Sequence, residues 1–159
     1  RGVMLALYTG QRGSDVVRLG PTFVDEGGFD LSQIKTGRQV WCPILPELAD
    51  EMATWERRPG PYLLQDHGKP YTRKRLSLHF DEQRGKVPAL AGVTLHGLRA
   101  TAVVRLRRAG LSTSQIQDVI GMSMAMIERY SRFADRKQSG KAAIVSLSER
   151  RKLEAKGTA

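Results

Sequence analysis

The sequence sets His96 and Arg99 three residues apart and places Tyr130 a further 31 residues on, between Arg129 and Ser131. Residues at i and i+3 of a helix share a face, so this imidazole and guanidinium point the same way, and a downstream tyrosine could join them. Such a set suits a phosphate with a nucleophile beside it. A phenol is a poor nucleophile at its ordinary pKa of about 10, so attack at neutral pH requires cationic neighbours that stabilise the developing negative charge.

Helices must carry these groups. Leu98, Ala102, Val103 and Leu106 predict one long helix over 96–108, ended by Gly110. Ser112-Thr113-Ser114-Gln115 fits a capping box, with Leu111 and Ile116 as its hydrophobic staple, and opens a helix that stops at Gly121. Ser123 caps a further helix over 124–130. A last one over 140–155 turns Ala143, Val145 and Leu147 toward a partner surface, with Arg150-Arg151-Lys152 near its end. Upstream, residues 2–8 read as a helix stopped at Thr9-Gly10 and residues 15–19 as a second, so Arg12 sits just after a break, three residues before Asp15. Three short β-rich runs over 22–24, 29–34 and 39–42 alternate with glycine-bearing turns and predict an antiparallel meander with Lys35 at a hairpin tip. Helices over 46–57 and 72–83 follow. The class is α+β, mainly α-helical, with a small three-stranded antiparallel sheet.

A chain of 159 residues is the size of one domain with a real core. It opens on Arg1 and runs straight into apolar residues, without an initiator methionine, and is expected to be a fragment of a longer protein. Lys and Arg number 26 against 16 Asp and Glu, a formal net charge of +10. Residues 1–94 hold 13 basic and 11 acidic side chains, residues 95–159 hold 13 and 5, so the half with His96, Arg99 and Tyr130 carries the excess. A polyanion is the natural partner, solvated helix faces the plainer alternative. Nucleic acid fits better than a membrane, since no apolar run approaches the roughly 20 residues of a spanning helix. No signal peptide is visible. Arg73-Lys74-Arg75 opens a helix, where positive charge opposes the macrodipole, so contact with DNA backbone competes with solvation as the reason for the triplet. The lone Cys42 can form no internal disulfide, which fits a reducing compartment, and its default role is packing. His67 and His79 have no identifiable partner and read as structural or surface histidines.

Taken in order, these segments resemble the catalytic domain of the tyrosine recombinases, the phage integrase family. Tyr8-Thr9-Gly10-Gln11-Arg12-Gly13-Ser14-Asp15 is similar to T-G-x-R-x-x-E, and Ile34-Lys35-Thr36-Gly37 matches the hairpin lysine. Leu95-His96-Gly97-Leu98-Arg99-Ala100-Thr101 is similar to L-H-D-L-R-H-T, and Ile120-Gly121-Met122-Ser123 to Glu128-Arg129-Tyr130 matches the end of the pattern. The resemblance implies strand transfer in double-stranded DNA with no metal and no cofactor. Tyr130 attacks the phosphate and Arg12 and Arg99 bind its oxygens in fork geometry. Lys35 protonates the leaving 5′-oxygen, His96 bonds the phosphate or helps remove the phenol proton, and Asp15 buttresses Arg12. It also implies a cytoplasmic protein of bacterial or phage origin, an N-terminal DNA-binding domain that this chain lacks, a tetramer on DNA, exchange of a segment near residues 139–155, and a monomer when the domain is alone.

Two positions depart from the pattern. Asp15 stands where glutamate is commoner, a minor change. Met122 follows Gly121 where the family has histidine or tryptophan, and its thioether is a weak acceptor that donates no proton. Losing one such donor costs about 100- to 1000-fold in rate. The alternatives are therefore a DNA-binding protein of the same fold with weakened chemistry, and a phosphate-ester hydrolase using His96 covalently. Met122→His is expected to raise the cleavage rate.

Overall fold

A computed structural model describes residues 1–157; Thr158, Ala159 and the side chains of Phe133, Lys137, Gln138 and residues 152–157 lie outside the described set. Helix α1, Gly2–Thr9, is apolar throughout and ends at Gly10, whose N–H returns to the Ala6 carbonyl at φ +61°. A Cβ there would fall 2.9 Å from Ile120 Cδ1 and 3.1 Å from Ala102 Cβ, so glycine serves both the turn and the close approach of later helices. The short α2, Gly13–Val16, follows with Arg12 at its N-cap.

The sheet has strands β1 Val24–Asp25, β2 Gly28–Ser32 and β3 Gln39–Pro43 in that order, both pairs antiparallel. Phe29 faces Cys42 and Leu31 faces Val40 across β2 and β3. The first strand is shorter than the expected run over 22–24, because Pro21 opens a 3₁₀ turn, Pro21–Phe23, and pairing begins only at Val24. Helix α3, Pro46–Ala53, also stops short of the expected residue 57. Trp55 leaves the helix to pack edge-on against Tyr62 at 5.4 Å while its indole donates to Glu51 Oε1 at 3.0 Å. Helix α4, Arg73–Gly85, is capped by Thr72, whose hydroxyl accepts from the Arg75 N–H at 3.2 Å.

Helix α5, Gly97–Arg108, and helix α6, Thr113–Ile120, follow the expected pattern, and the Ser112/Gln115 capping box is fully formed. The final helix departs from it. Where two helices with a break after Tyr130 were expected, one helix α7 runs from Met124 to Gly157. Residues 131–139 contain neither proline nor glycine, and Gly140 alone costs a helix only about 1 kcal/mol.

Two cores result. The first gathers Leu5, Leu19, Phe29, Leu31, Leu48 and Leu98 between α1, the sheet, α3, α4 and the start of α5. The second gathers Ala102, Val103, Ile116, Ile120, Met122 and Ile127 between α5, α6 and α7. Helix α5 belongs to both.

Candidate active site at the seam between the two cores

Arg99 lies at this seam and is only 4 % exposed. Its Nη1 donates to the Gly10 carbonyl and its Nη2 to the Ile120 carbonyl at 3.2 Å. Both acceptors stand at helix C-termini, those of α1 and α6, each closed by a glycine in the left-handed region. Unpaired carbonyls and the negative ends of two helix dipoles thus face one guanidinium, which fixes its plane. Burial, then the like charge of Arg12, push Arg99 down to about 10, while Asp15, Cys42 and Tyr130 act in the opposite sense. The guanidinium stays cationic at neutral pH.

Arg12 is half-buried and donates from Nη1 to Gln33 Oε1 at 2.7 Å. Gln33, 1 % exposed, is the hub beneath the site. Its Nε2 donates to Gln11 Oε1 at 2.6 Å and to the Ile120 carbonyl at 2.8 Å, and its Oε1 also accepts from the Thr36 hydroxyl at 2.9 Å. Gln11 in turn donates to Thr9 O, Val119 O and Ile120 O at 3.2, 3.3 and 3.4 Å. The sequence reading missed both amides. Gln33 was within reach: Phe29, Leu31 and Gln33 alternate at period two, which carries the buried face of β2 on to Gln33, one residue past the strand's end. Gly121, at φ +67°, leaves room for it, since a Cβ there would sit 2.7 Å from Gln33 Nε2.

Asp15 is fully buried, yet its partners are not Arg12 as expected. Its Oδ1 accepts from the Ile34 N–H at 2.9 Å and lies 3.7 Å from Arg18 Nη1. The side chain of Arg12 is occupied by Gln33, so Asp15 instead ties α2 to the turn that precedes Lys35. Lys35 itself is exposed on the loop between β2 and β3, as the hairpin required. That loop is closed by Gln33 N–H to Arg38 O at 2.9 Å and Gly37 N–H to Gln33 O at 2.8 Å.

His96 is exposed at the N-cap of α5, one turn before buried Arg99; the cap hydrogen bond there comes from Thr94, whose hydroxyl accepts from the Gly97 N–H at 2.9 Å. Tyr130 stands two turns into α7, half-buried against the second core. Met122 is buried in that same core, so its side chain is a packing element. Cys42 is buried too: its thiol donates to the Val119 carbonyl at 3.0 Å, and burial pushes it up to about 12, which keeps it protonated and inert.

Arg73, Lys74 and Arg75 are exposed at the start of α4, and a Cβ on Gly13 would meet Arg73 Cγ at 3.5 Å, which sets the triplet next to the Arg12 turn. Arg75 also pairs with Glu82 at 3.5 Å. His79 has a partner after all, since its Nδ1 shares a 2.6 Å hydrogen bond with the Tyr71 hydroxyl and the two rings stack. His67 lies exposed in a turn. Among the described residues no group of three or more His, Cys, Asp and Glu side chains is gathered as metal ligands would be, and no helix is long and apolar enough to cross a membrane.

The fold is that of the tyrosine recombinase catalytic domains. The chain is similar to XerA recombinase, with TM-score 0.69 and 19 % identity over 89 % of this chain and 55 % of that one. It is similar to lambda integrase in a dimer bound to a COC′ core site, with TM-score 0.63 and 22 % identity over 82 % of this chain and 50 % of that one. The Tn1549 transposon integrase in complex with circular intermediate DNA gives TM-score 0.64 and 19 % identity over 84 % of this chain and 55 % of that one. The sequence matches the phage integrase family over residues 2–137, and the chain belongs to that family. It spans about half the length of these solved relatives. No curated protein sequence is a significant match.

Proposed function

We propose that this chain is the catalytic domain of a site-specific DNA recombinase that cleaves and rejoins strands through a 3′-phosphotyrosyl link on Tyr130. The observation that supports the reading is Arg99, a buried cation locked by two helix ends beside the charge of Arg12. In this mechanism Arg12 and Arg99 hold the non-bridging oxygens of the scissile phosphate and stabilise the charge of the pentavalent transition state. The Tyr130 oxygen forms the new bond to phosphorus as the bond to the 5′-oxygen breaks. The electron pair leaves on that oxygen, which takes a proton from the Lys35 ammonium, while the phenol proton passes to His96 or solvent. A 5′-hydroxyl from a second strand then displaces Tyr130 by the reverse path, so no high-energy cofactor is consumed.

The partner in this reading is double-stranded DNA. The basic excess of residues 95–159 and the exposed triplet Arg73, Lys74 and Arg75 support it, through phosphate contacts that weaken steeply with salt. The unit is read as the catalytic portion of a longer recombinase that assembles as a tetramer on DNA. Exposed Ile144, Val145 and Leu147 on α7 fit the segment exchanged between protomers there.

A library of nicked duplexes with randomised flanks tests the reading, because the short 5′-hydroxyl fragment diffuses away and traps the covalent adduct. An adduct that disappears in Tyr130→Phe is the expected result. DNA binding without adduct would move the assignment to a non-cleaving DNA-binding protein, and an adduct that survives Tyr130→Phe but not His96→Ala would move it to histidine chemistry.

A further inference from the structure

The strand-transfer reading uses Arg12, Lys35, His96, Arg99 and Tyr130 but leaves a second polar cluster, two turns along α5 from Arg99, without a role. Arg107 donates from Nε to Asp135 Oδ1 at 2.7 Å, and from Nη1 to the Leu111 carbonyl at 3.2 Å. The other oxygen of Asp135 accepts from the Ser131 hydroxyl at 2.8 Å. Ser131 is the residue after Tyr130 and is fully buried.

We infer that Arg107, through Asp135 and Ser131, is a positioning residue that fixes the distance between Tyr130 and the phosphate cradle of Arg99. Three features carry this. First, α5 is one continuous helix that bears Arg99 at one end and Arg107 at the other, so a tie from Arg107 to α7 transmits the placement of Arg99 to the Tyr130 turn. Second, the tie is directional. One carboxylate oxygen of Asp135 takes the Arg107 Nε bond across to α5, and the other is held within α7 by Ser131, the residue adjoining the nucleophile, which fixes the Asp135 side chain in the orientation that meets Arg107. The other buried side chains of this turn, Ile127 and Ala134, are apolar, and apolar contact is non-directional, so it sets orientation less sharply than a charge-assisted hydrogen bond. Third, the same guanidinium holds the α5–α6 turn at Leu111, and α6 supplies the Ile120 carbonyl that Arg99 binds. One side chain thus braces the nucleophile and one wall of the cradle. An ångström of misplacement at a reacting centre costs about 100-fold in rate, the scale on which such a brace acts.

The inference rests on the strand-transfer reading, and its test separates the two. Using a nicked duplex recovered from the library above, the full 159-residue chain is compared with Asp135→Asn, Asp135→Ala, Ser131→Ala and Arg107→Lys. The readouts are adduct rate at saturating DNA, burst amplitude, and affinity for an intact duplex of the same sequence. The expected result is a rate constant lowered at least about 10-fold in Asp135→Ala and Arg107→Lys, on the way to the 100-fold of a full misplacement. Asp135→Asn and Ser131→Ala should show smaller losses, with DNA affinity within about twofold of the parent throughout. A structural role alone would lower the amplitude, as less protein is folded, and leave the rate constant of the folded fraction unchanged; that result overturns the inference. So does recovery of the parental rate constant by Asp135→Asn together with Ser131→Ala. If the parent forms no adduct, strand transfer fails as a reading, and the Tyr130 13Cζ resonance in tyrosine-labelled protein decides the brace: a resonance unmoved in Asp135→Asn and Ser131→Ala overturns it.

Discussion

The two cores hold their share of the site by different means. The first core, built on α1 and the sheet, presents Arg12 and Lys35 through hydrogen-bonded amides and a closed loop, and its charges nearly balance. The second, all-helical core presents Tyr130 on the face of a long helix and carries the basic excess. A guanidinium that must meet two phosphate oxygens needs its plane fixed, which apolar packing does poorly and buried Gln11 and Gln33 do well. A nucleophile, the role proposed for Tyr130, needs one atom at one place, which α7 supplies where Ile127 and Ala134 are buried and Asp135 is tied to Arg107. The seam between them is polar for this reason: the Ile120 carbonyl of the second core accepts from Arg99, Gln33 and Gln11 at 3.2, 2.8 and 3.4 Å.

Breaking the seam should have the largest effect. Arg99→Ala is expected to slow adduct formation by about 100- to 1000-fold, the usual cost of one lost charge-stabilising donor. In urea melts it should also destabilise the protein, as the Gly10 and Ile120 carbonyls lose a buried partner at about 1–3 kcal/mol. Arg99→Lys should recover little of the rate, because a single ammonium cannot span both carbonyls and a phosphate. An Arg99→Lys variant with the parental rate would mean that charge alone matters at the seam.

Gln33→Leu removes the amide but keeps comparable bulk, and comes next. Arg12 Nη1, Thr36 and the Ile120 carbonyl all lose a partner, so urea melts should show a loss of about 1–3 kcal/mol. The rate should fall while α-helical circular dichroism stays constant. Met122→His asks whether the second core can supply a donor. It should raise the adduct rate but lower Tm, since a polar ring enters a buried apolar cluster. A Tm drop with no gain in rate would show that the imidazole stays in the core and never reaches the phosphate.

The smallest effect is confined to the first core. The Cys42 thiol stays protonated to about 12 when folded, against 9.0 when unfolded. A raised acid pKa contributes stability that is complete below pH 9 and is lost as pH climbs toward 12. Tm of the parent should therefore fall more steeply over that range than Tm of Cys42→Ser, and a thiol reagent at pH 8 should label Cys42 only after unfolding.

Much of this arrangement could be read from residue patterns, and what could not has physical reasons. The periodicity of α5, the Ser112/Gln115 box and the hairpin bearing Lys35 rest on local interactions, so local sequence predicts them. The length of α7 was hidden because Gly140 reads as a break, though a single glycine costs a helix too little to stop it. Asp15 and Arg12 sit at the spacing of an ion pair, but tertiary contacts gave each a different partner: the Ile34 amide for one, Gln33 for the other. The Arg107–Asp135 tie joins residues 28 apart, and no local rule links them. Met122 stood out by comparison with a motif, while its burial in the second core depends on how α6 turns at Gly121.

The most direct measurement is the site of covalent attachment. If strand transfer occurs as described, digestion of the trapped adduct followed by mass spectrometry should recover a DNA 3′-phosphate on the peptide bearing Tyr130, and on no other. A phosphate on His96, on another tyrosine, or no protein-linked phosphate from a duplex that the chain demonstrably binds would contradict it.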